Sequence, residues 1–318
     1  MTYPSFYDPN MVGELFHPNV EAAIAAGREQ AILDGYQRSR KPKTGTVLFL
    51  VDTQIGFIHE GRGLGVAGAV DDTRRTIEWM YRNVGEIDGI TVSLDTHMLQ
   101  QIFLESWWVD ANGNHPDPFT VIEAVDVDNG IWRPVFEVEW SKNYVHELEN
   151  RSKKKLMIWP YHTLIGTLEH ATDPSLYEAI AYHTGYVGFQ PTFVTKGTIL
   201  KTENYSPLEP DVEVPNVPGG TLNTPVLNMI ATYDAIYVAG QAKSHCVLEL
   251  LLSFDRNFDD AEMEKLRIMI DCMSSVGHPD IDFEALCEPE YRSFEARGAS
   301  IVESTSHNVG DAVVQYFN

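Results

Sequence analysis

The amino-acid sequence predicts an α/β fold: a mostly parallel sheet of six strands, covered on both faces by helices in a three-layer arrangement. Two observations carry this expectation. Short apolar, β-rich runs recur along the chain, and longer segments with helical period separate them. In chain order, Val20–Tyr36 reads as an amphipathic helix and Thr46–Val51 as the first strand, apolar from Val47 onward. The helix Val70–Asn83 and the strand Gly89–Leu94 repeat the unit. After a stretch that fits the alternation badly, helix Pro174–His183 precedes strand Thr192–Thr195. Helix Thr224–Tyr233 then leads to strand Ala235–Ala239, and helix Cys246–Phe254 to strand Leu266–Ile270. Helix Pro289–Ala296 and strand Ser300–Val302 close the series.

A chain of 318 residues with 43% hydrophobic content is long and apolar enough to bury a substantial core. The reading divides it into an N-terminal arm over 1–44 and a single domain over 45–318, with an insertion at about 100–154. That insertion carries many aromatics and the loop-like run Asn112-Gly113-Asn114-His115-Pro116. The acidic, Pro-rich passage Leu208–Gly220 reads as a surface loop, because the alternation resumes directly after it. Lys and Arg number 23 against 46 Asp and Glu, a formal charge of -23, which argues against nucleic acid or an anionic membrane as partner. Three cysteines, an odd count in a long chain, point to reduced thiols. No stretch approaches the roughly 20 apolar residues of a membrane span, and the start lacks a basic, apolar leader, so a cytoplasmic protein is expected.

Ligands of open α/β sheets gather beyond the carboxyl ends of the strands, so polar residues that end apolar runs are the first candidates. Asp52 ends the run VLFLV; it is either a helix cap or a partly desolvated acid. Asp95 and His97 close ITVSLDTH two residues apart, a surface pair or half of a metal site. Lys196 follows the strand PTFVT and either snorkels outward or meets a carboxylate. Cys246 opens a helix after the turn AGQAKSH. A helix N-terminus lowers a thiol pKa and offers N–H groups to an oxyanion, although a buried structural cysteine is the rival reading.

Together and in this order, the four places resemble the nicotinamidase branch of the isochorismatase-like cysteine hydrolases, over about Thr46–Val302. Asp52-Thr53-Gln54 with Phe57 is similar to the family's Asp-x-Gln-x-x-Phe. Lys196-Gly197, followed by Glu203, Tyr205 and Ser206, resembles its Lys-Gly and Tyr-Ser motifs. Gly240-x-Ala242-x-x-x-Cys246-Val247 resembles its nucleophile motif, with Lys243-Ser244 where Thr-Asp is usual. Asp95-x-His97 and Trp159-Pro160-Tyr161-His162 resemble the metal motifs, with Thr96 replacing a tryptophan and Thr163 often a cysteine.

The resemblance implies an isochorismatase-like, Rossmann-like sheet and a triad of Asp52 as base, Lys196 as the cation holding the pair, and Cys246 as nucleophile. It implies a cis peptide from Gln241 to Ala242, whose N–H serves the oxyanion with that of Cys246. Asp95, His97 and His162 become ligands of a divalent metal, zinc first, with iron or manganese as alternatives. Phe57, Trp107, Trp108 and Tyr205 are offered as walls for a flat ring. The implied reaction is deamidation of nicotinamide to nicotinate and ammonia through a cysteine thioester, by a protein that is commonly oligomeric in this family. Hydrolysis of another small amide, ureido or carbamoyl compound by the same triad is the alternative. A non-catalytic binding protein would have no need of the triad, and a vinyl-ether hydrolase no need of the cysteine.

Overall fold

The strand Thr46–Val51 (β1) is buried along its whole length, as a strand covered by helices on both faces must be. The computed structural model describes residues 3–39, 42–152 and 154–317. Positions 1, 2, 40, 41, 153 and 318, which include both outer limits of the predicted domain division, lie outside the described residues.

Around β1 the strands Gly89–Asp95 (β2), Thr192–Lys196 (β3), Ala235–Gly240 (β4), Leu266–Met269 (β5) and Ser300–Val302 (β6) form one six-stranded sheet, order β6-β5-β4-β1-β2-β3. Every pairing is parallel, so the expected mostly parallel sheet is parallel throughout. The chain grows outward from β1 to β3, then returns to the other side of β1 and grows outward to β6. The order therefore reverses between β1 and β4, where Val51 pairs with Gly240. That switch point opens a crevice beyond the strand ends.

Alternation along the strands divides the core. Leu48 and Leu50 of β1, with Ile90, Val92, Tyr237 and Ala239, face the helices Val20–Leu33 (α1), Ala69–Arg82 (α2) and Pro174–Val187 (α3). Val47, Phe49 and Val51 face the opposite layer, built from Thr224–Ala231 (α4), Leu248–Asn257 (α5) and Phe283–Ala296 (α6). Each fully buried aliphatic or aromatic side chain there contributes roughly 1.5–3 kcal/mol. The arm's helix α1 lies against α3 of its own chain. No helix among the described residues is long and apolar enough to cross a membrane.

Some boundaries differ from the predicted ones for local reasons. Helix α1 stops at Leu33, short of Tyr36, because Gly35 turns left-handed (φ +66°) and Tyr36 N–H bonds Ala31 O at 2.8 Å. Helix α6 starts at Phe283, six residues before the predicted Pro289, because Asp282 caps it by accepting from Ala285 N–H at 3.0 Å. The predicted helix at Cys246 is preceded by a π turn over Lys243–Val247, and the α-helical part begins at Leu248.

The segment 100–152 packs as an appendage whose interior is shared with the main body. Residues 108–109 pair antiparallel with 133–134, and 121–122 with 156–157; helices Ala124–Asp128 and Val138–Ser152 cover them. Ile102, Phe103, Trp107, Trp108, Tyr144, Val145 and Leu148 fill the interior, which continues into Phe57, Ala242 and Val276 of the main body.

One titration belongs to the fold alone. His183 of α3 is buried, bonds Ile87 O at 2.7 Å, and burial pushes its pKa from the ordinary 6.5 down to about 4. Between those values the unfolded chain holds more protons than the folded one, so stability falls as pH drops through that range. His183→Gln keeps an N–H for Ile87 O and is expected to remove about 3 kcal/mol of that decline. Denaturant unfolding from pH 4 to 7 checks it; identical slopes in both proteins would refute the assignment.

Candidate active site

Strand ends bring the four singled-out places into one crevice. Asp52, the first residue beyond β1, is fully buried with a left-handed backbone (φ 46°), a conformation that a non-glycine residue adopts only where its surroundings enforce it. Its N–H donates to Ser93 Oγ at 3.0 Å, and that hydroxyl donates back to Asp52 Oδ1 at 2.6 Å. Gln54 pins the neighbouring strand end: its side-chain amide donates to Asp95 O at 2.8 Å and accepts from Asp95 N–H at 2.7 Å. The parallel register then sets Asp95 directly opposite Lys196.

Lys196 is the hub. Its Nζ lies 2.7 Å from Asp95 Oδ1, 3.0 Å from Asp52 Oδ2, 2.8 Å from Asn204 O and 3.6 Å from Cys246 Sγ. Burial alone would push the ammonium pKa down, but Asp52 and Asp95 outweigh it and hold it well above the usual lysine value. Burial raises the Asp52 carboxyl pKa, and Asp95 adds to the rise while Lys196 opposes it. Asp52 Oδ2 is buried and receives no aligned hydrogen bond despite its closeness to the ammonium. It is thus an acceptor held ready for a proton.

The turn after β4 delivers the thiol. Gly240 has φ 123°, and a Cβ there would lie 2.1 Å from Val51 O, so only glycine lets β4 pass this close to β1. The peptide Gln241–Ala242 is cis, as the resemblance implied. The flanking N–H groups of Gln241 and Lys243 are occupied by Val51 O and Ser274 O, both at 2.8 Å. Cys246 sits inside the π turn, 5% exposed. Burial pushes its thiol well above the ordinary value; Lys196 pulls it down and Asp52 pushes it up. The resting thiol is therefore protonated, in contrast to the lowered pKa that a helix start suggests.

Beside the triad lies a second cluster. One ligand atom each from Asp95, His97 and His162 lie within 4.8 Å of one another, and all three residues are buried. Asp95 Oδ2 is 2.7 Å from His97 Nε2 and 3.7 Å from His162 Nε2. His162 Nδ1 is 2.8 Å from Pro160 O, which leaves Nε2 turned to the cluster, and burial together with His97 lowers its pKa to about 3. It is therefore neutral, with a lone pair to give. His97 Nδ1 is buried without a hydrogen-bond partner. A carboxylate and two imidazoles converging on one point fit a divalent cation with open positions. Gly197 (φ 79°) leaves room, since a Cβ there would meet Asp95 Oδ1 at 2.8 Å.

Cys246 of the triad and all three residues of the second cluster line one cavity, together with Phe57, Leu64, Trp159, Glu203, Tyr205, Ala242, His245 and Val276. Phe57 and Tyr205 line this cavity. Trp107 and Trp108 do not: their indole N–H groups bond Ser141 Oγ (2.9 Å) and Ile102 O (2.7 Å), inside the appendage core. Among the described residues, no side chain of 100–154 lines the cavity; Phe103 and Phe119 back it from behind, against His97 and Trp159.

Sequence reasoning missed Leu64, His245 and Val276, and it used Trp159 and Glu203 only as motif letters. His245, next to the thiol, carried the readable signal. Its ring meets Trp159 and Phe283 edge-on at 5.3 and 4.8 Å, and burial, helped by Lys154, lowers its pKa to about 3. Burial raises Glu203 to about 7, against the pull of His97. A roomier cleft beside Glu209, Glu213 and Arg256 contains none of the triad.

A scan against protein-family models and a search of curated proteins find no match. Solved structures do match. A nicotinamidase/pyrazinamidase from Acinetobacter baumanii aligns at TM-score 0.54 and 20% identity, over 83% of this chain and 99% of that one. The yeast nicotinamidase Pnc1p aligns at 0.56 and 16%, over 81% and 99%. PnC1 from L. infantum, solved in complex with nicotinate, aligns at 0.52 and 15%, over 85% and 98%. The chain shares the fold of these nicotinamidase structures.

Proposed function

We propose that this protein is a cysteine amidohydrolase that deamidates nicotinamide to nicotinate and ammonia. One observation carries the reading: a buried ammonium, Lys196, gathers Asp52, Asp95 and the Cys246 thiol within 3.6 Å, and Asp95 and Cys246 line an aromatic cavity.

In the proposed sequence, Asp52 takes the thiol proton, and Lys196 stabilises the Asp52 carboxylate before the transfer and the Cys246 thiolate after it. The Cys246 sulfur attacks the amide carbonyl, and the N–H groups of Ala242 and Cys246 receive the oxyanion. The carbon–nitrogen bond breaks as Asp52 returns its proton to the leaving nitrogen, which departs as ammonia. Asp52, again a base, deprotonates a water that attacks the thioester; the acid leaves and Cys246 regains its proton. Phe57, Trp159, Tyr205 and His245 supply flat apolar walls that suit a heteroaromatic ring. A divalent cation on Asp95, His97 and His162, zinc first and iron or manganese next, would supply Lewis acidity facing the same space.

The alternative, another small amide, ureido or carbamoyl compound, draws on Lys243-Ser244 in the nucleophile turn. Ammonia release across nicotinamide, pyrazinamide, benzamide and aliphatic, ureido and carbamoyl compounds separates the two. Nicotinamide is expected to lead by kcat/KM; a flat response to it beside rapid turnover of an aliphatic member would overturn the reading.

A further inference from the structure

The residues Lys243 and Ser244, which replace the family's usual pair, are the best-connected groups that the proposed chemistry leaves unused. Opposite them runs the irregular segment Met273–Asp282, in which Met273 and Val276 are buried and Gly277, Pro279, Asp280 and Asp282 are exposed. Val276 forms part of the cavity wall. The segment has no secondary structure to hold it, so its place depends on what fastens it.

The fastenings converge on the nucleophile turn. Ser244 Oγ accepts from Val276 N–H at 3.1 Å and lies 2.8 Å from His245 Nδ1. Lys243 N–H donates to Ser274 O at 2.8 Å, and the Lys243 ammonium pairs with Glu284 at the start of α6. Glu284 also accepts from Ser275 Oγ at 2.6 Å. Tyr291 OH donates to Lys243 O at 2.8 Å, and its ring lies 5.3 Å from the Lys243 ammonium. Phe283 closes the far end against the His245 ring. From the other side Phe119 of the appendage meets His278 at 5.8 Å.

We propose that Lys243 and Ser244 are positioning residues that latch the segment Ser274–Glu284 over the reaction cavity, so that Val276 limits the size of amide the site admits. The inference rests on the proposed hydrolase reading for its consequence in substrate choice, while the latch itself is testable without turnover. Opening the latch moves a wall and leaves Asp52, Lys196 and Cys246 where they are. It therefore acts on binding and on access to the sulfur more than on the bond-making step.

The test uses the full chain and measures alkylation of Cys246, read at that residue by peptide mass spectrometry, with iodoacetamide as small reagent and N-phenylmaleimide as bulky one. Ser244→Ala is expected to raise the bulky-to-small rate ratio about tenfold, and Glu284→Gln about threefold because its ion pair is half in solvent. Ser244→Thr keeps the acceptor and holds the ratio at the wild-type value. With the best amide, KM should rise by similar factors while kcat falls less, a split that general loosening of the fold would not produce. The Glu284 side chain is 57% exposed, so Glu284→Gln decides the matter should Ser244→Ala fail to fold. Unchanged ratios and KM in both variants overturn the latch. A raised ratio in a protein that hydrolyses no amide keeps the latch and removes the hydrolase reading.

Discussion

Cys246→Ala is expected to lower ammonia release from the best amide by on the order of ten-thousand-fold or more while leaving the protein folded. The sulfur is the atom that forms the new bond in the proposed sequence, and among the described residues no serine, threonine or lysine side chain lines the cavity to replace it. Burial and Asp52 keep the resting thiol protonated, and Lys196 at 3.6 Å opposes them. Attack therefore depends on moving one proton to Asp52, whose Oδ2 is unbonded and whose own pKa is raised by burial. Burial disfavours the charged form of both groups, and Lys196, beside both, offsets this for whichever of the two carries the charge. A coupled ammonia assay beside thermal unfolding checks the result. Hydrolysis within tenfold of wild type by a folded variant would remove Cys246 from the mechanism.

Lys196→Met should be the most destabilising single change in the site, by about 3–5 kcal/mol at pH 7, with activity lost as well. It leaves Asp52 and Asp95, fully and almost fully buried, without the cation that both touch. Asp95 shows how much is at stake. Burial would raise its carboxyl pKa, yet His97 and Lys196 together hold it well below the usual carboxylate range. Without the ammonium the Asp52 carboxyl, already raised by burial, rises further and Asp95 loses one of the cations that hold it down, so the folded variant binds more protons than the folded wild type does. Stability of the variant relative to wild type should accordingly recover as pH falls through the mildly acidic range, opposite to the decline expected from His183. Urea midpoints of both proteins from pH 5 to 7 measure this. Equal midpoints at pH 7 would mean that the carboxylates do not rely on Lys196.

The proposed latch gives the two unfamiliar residues of the nucleophile turn a physical task. Ser244 reaches a backbone N–H 32 residues on, and Lys243 reaches the first turn of α6. Substrate range in this chain would then be set by a contact between two loops on one side of the cavity, with the appendage over 100–154 buttressing it through Phe119.

Sequence alone determined what periodicity and strand ends encode. Unbroken apolar runs flanked by helical segments can bury both faces only as parallel strands between two helical layers, and six such runs were readable with near-correct limits. The chemistry-bearing residues were readable too, as polar groups at or just past strand ends, Asp52, Asp95 and Lys196 at the ends and Cys246 in the turn after β4; each alone had a structural reading, and their order and spacing together pointed to a site. Tertiary structure alone decided which of these meet and at what protonation. The switch point between β1 and β4, and the register opposing Asp95 to Lys196, join positions up to 194 residues apart, and only the burial found there sends the Cys246 pKa up when a helix start suggests down. It likewise decided that Trp107 and Trp108 fill an interior while His245 and Val276 line the cavity. An aromatic or aliphatic letter carries the same hydrophobic drive in either place, and only packing assigns it a side.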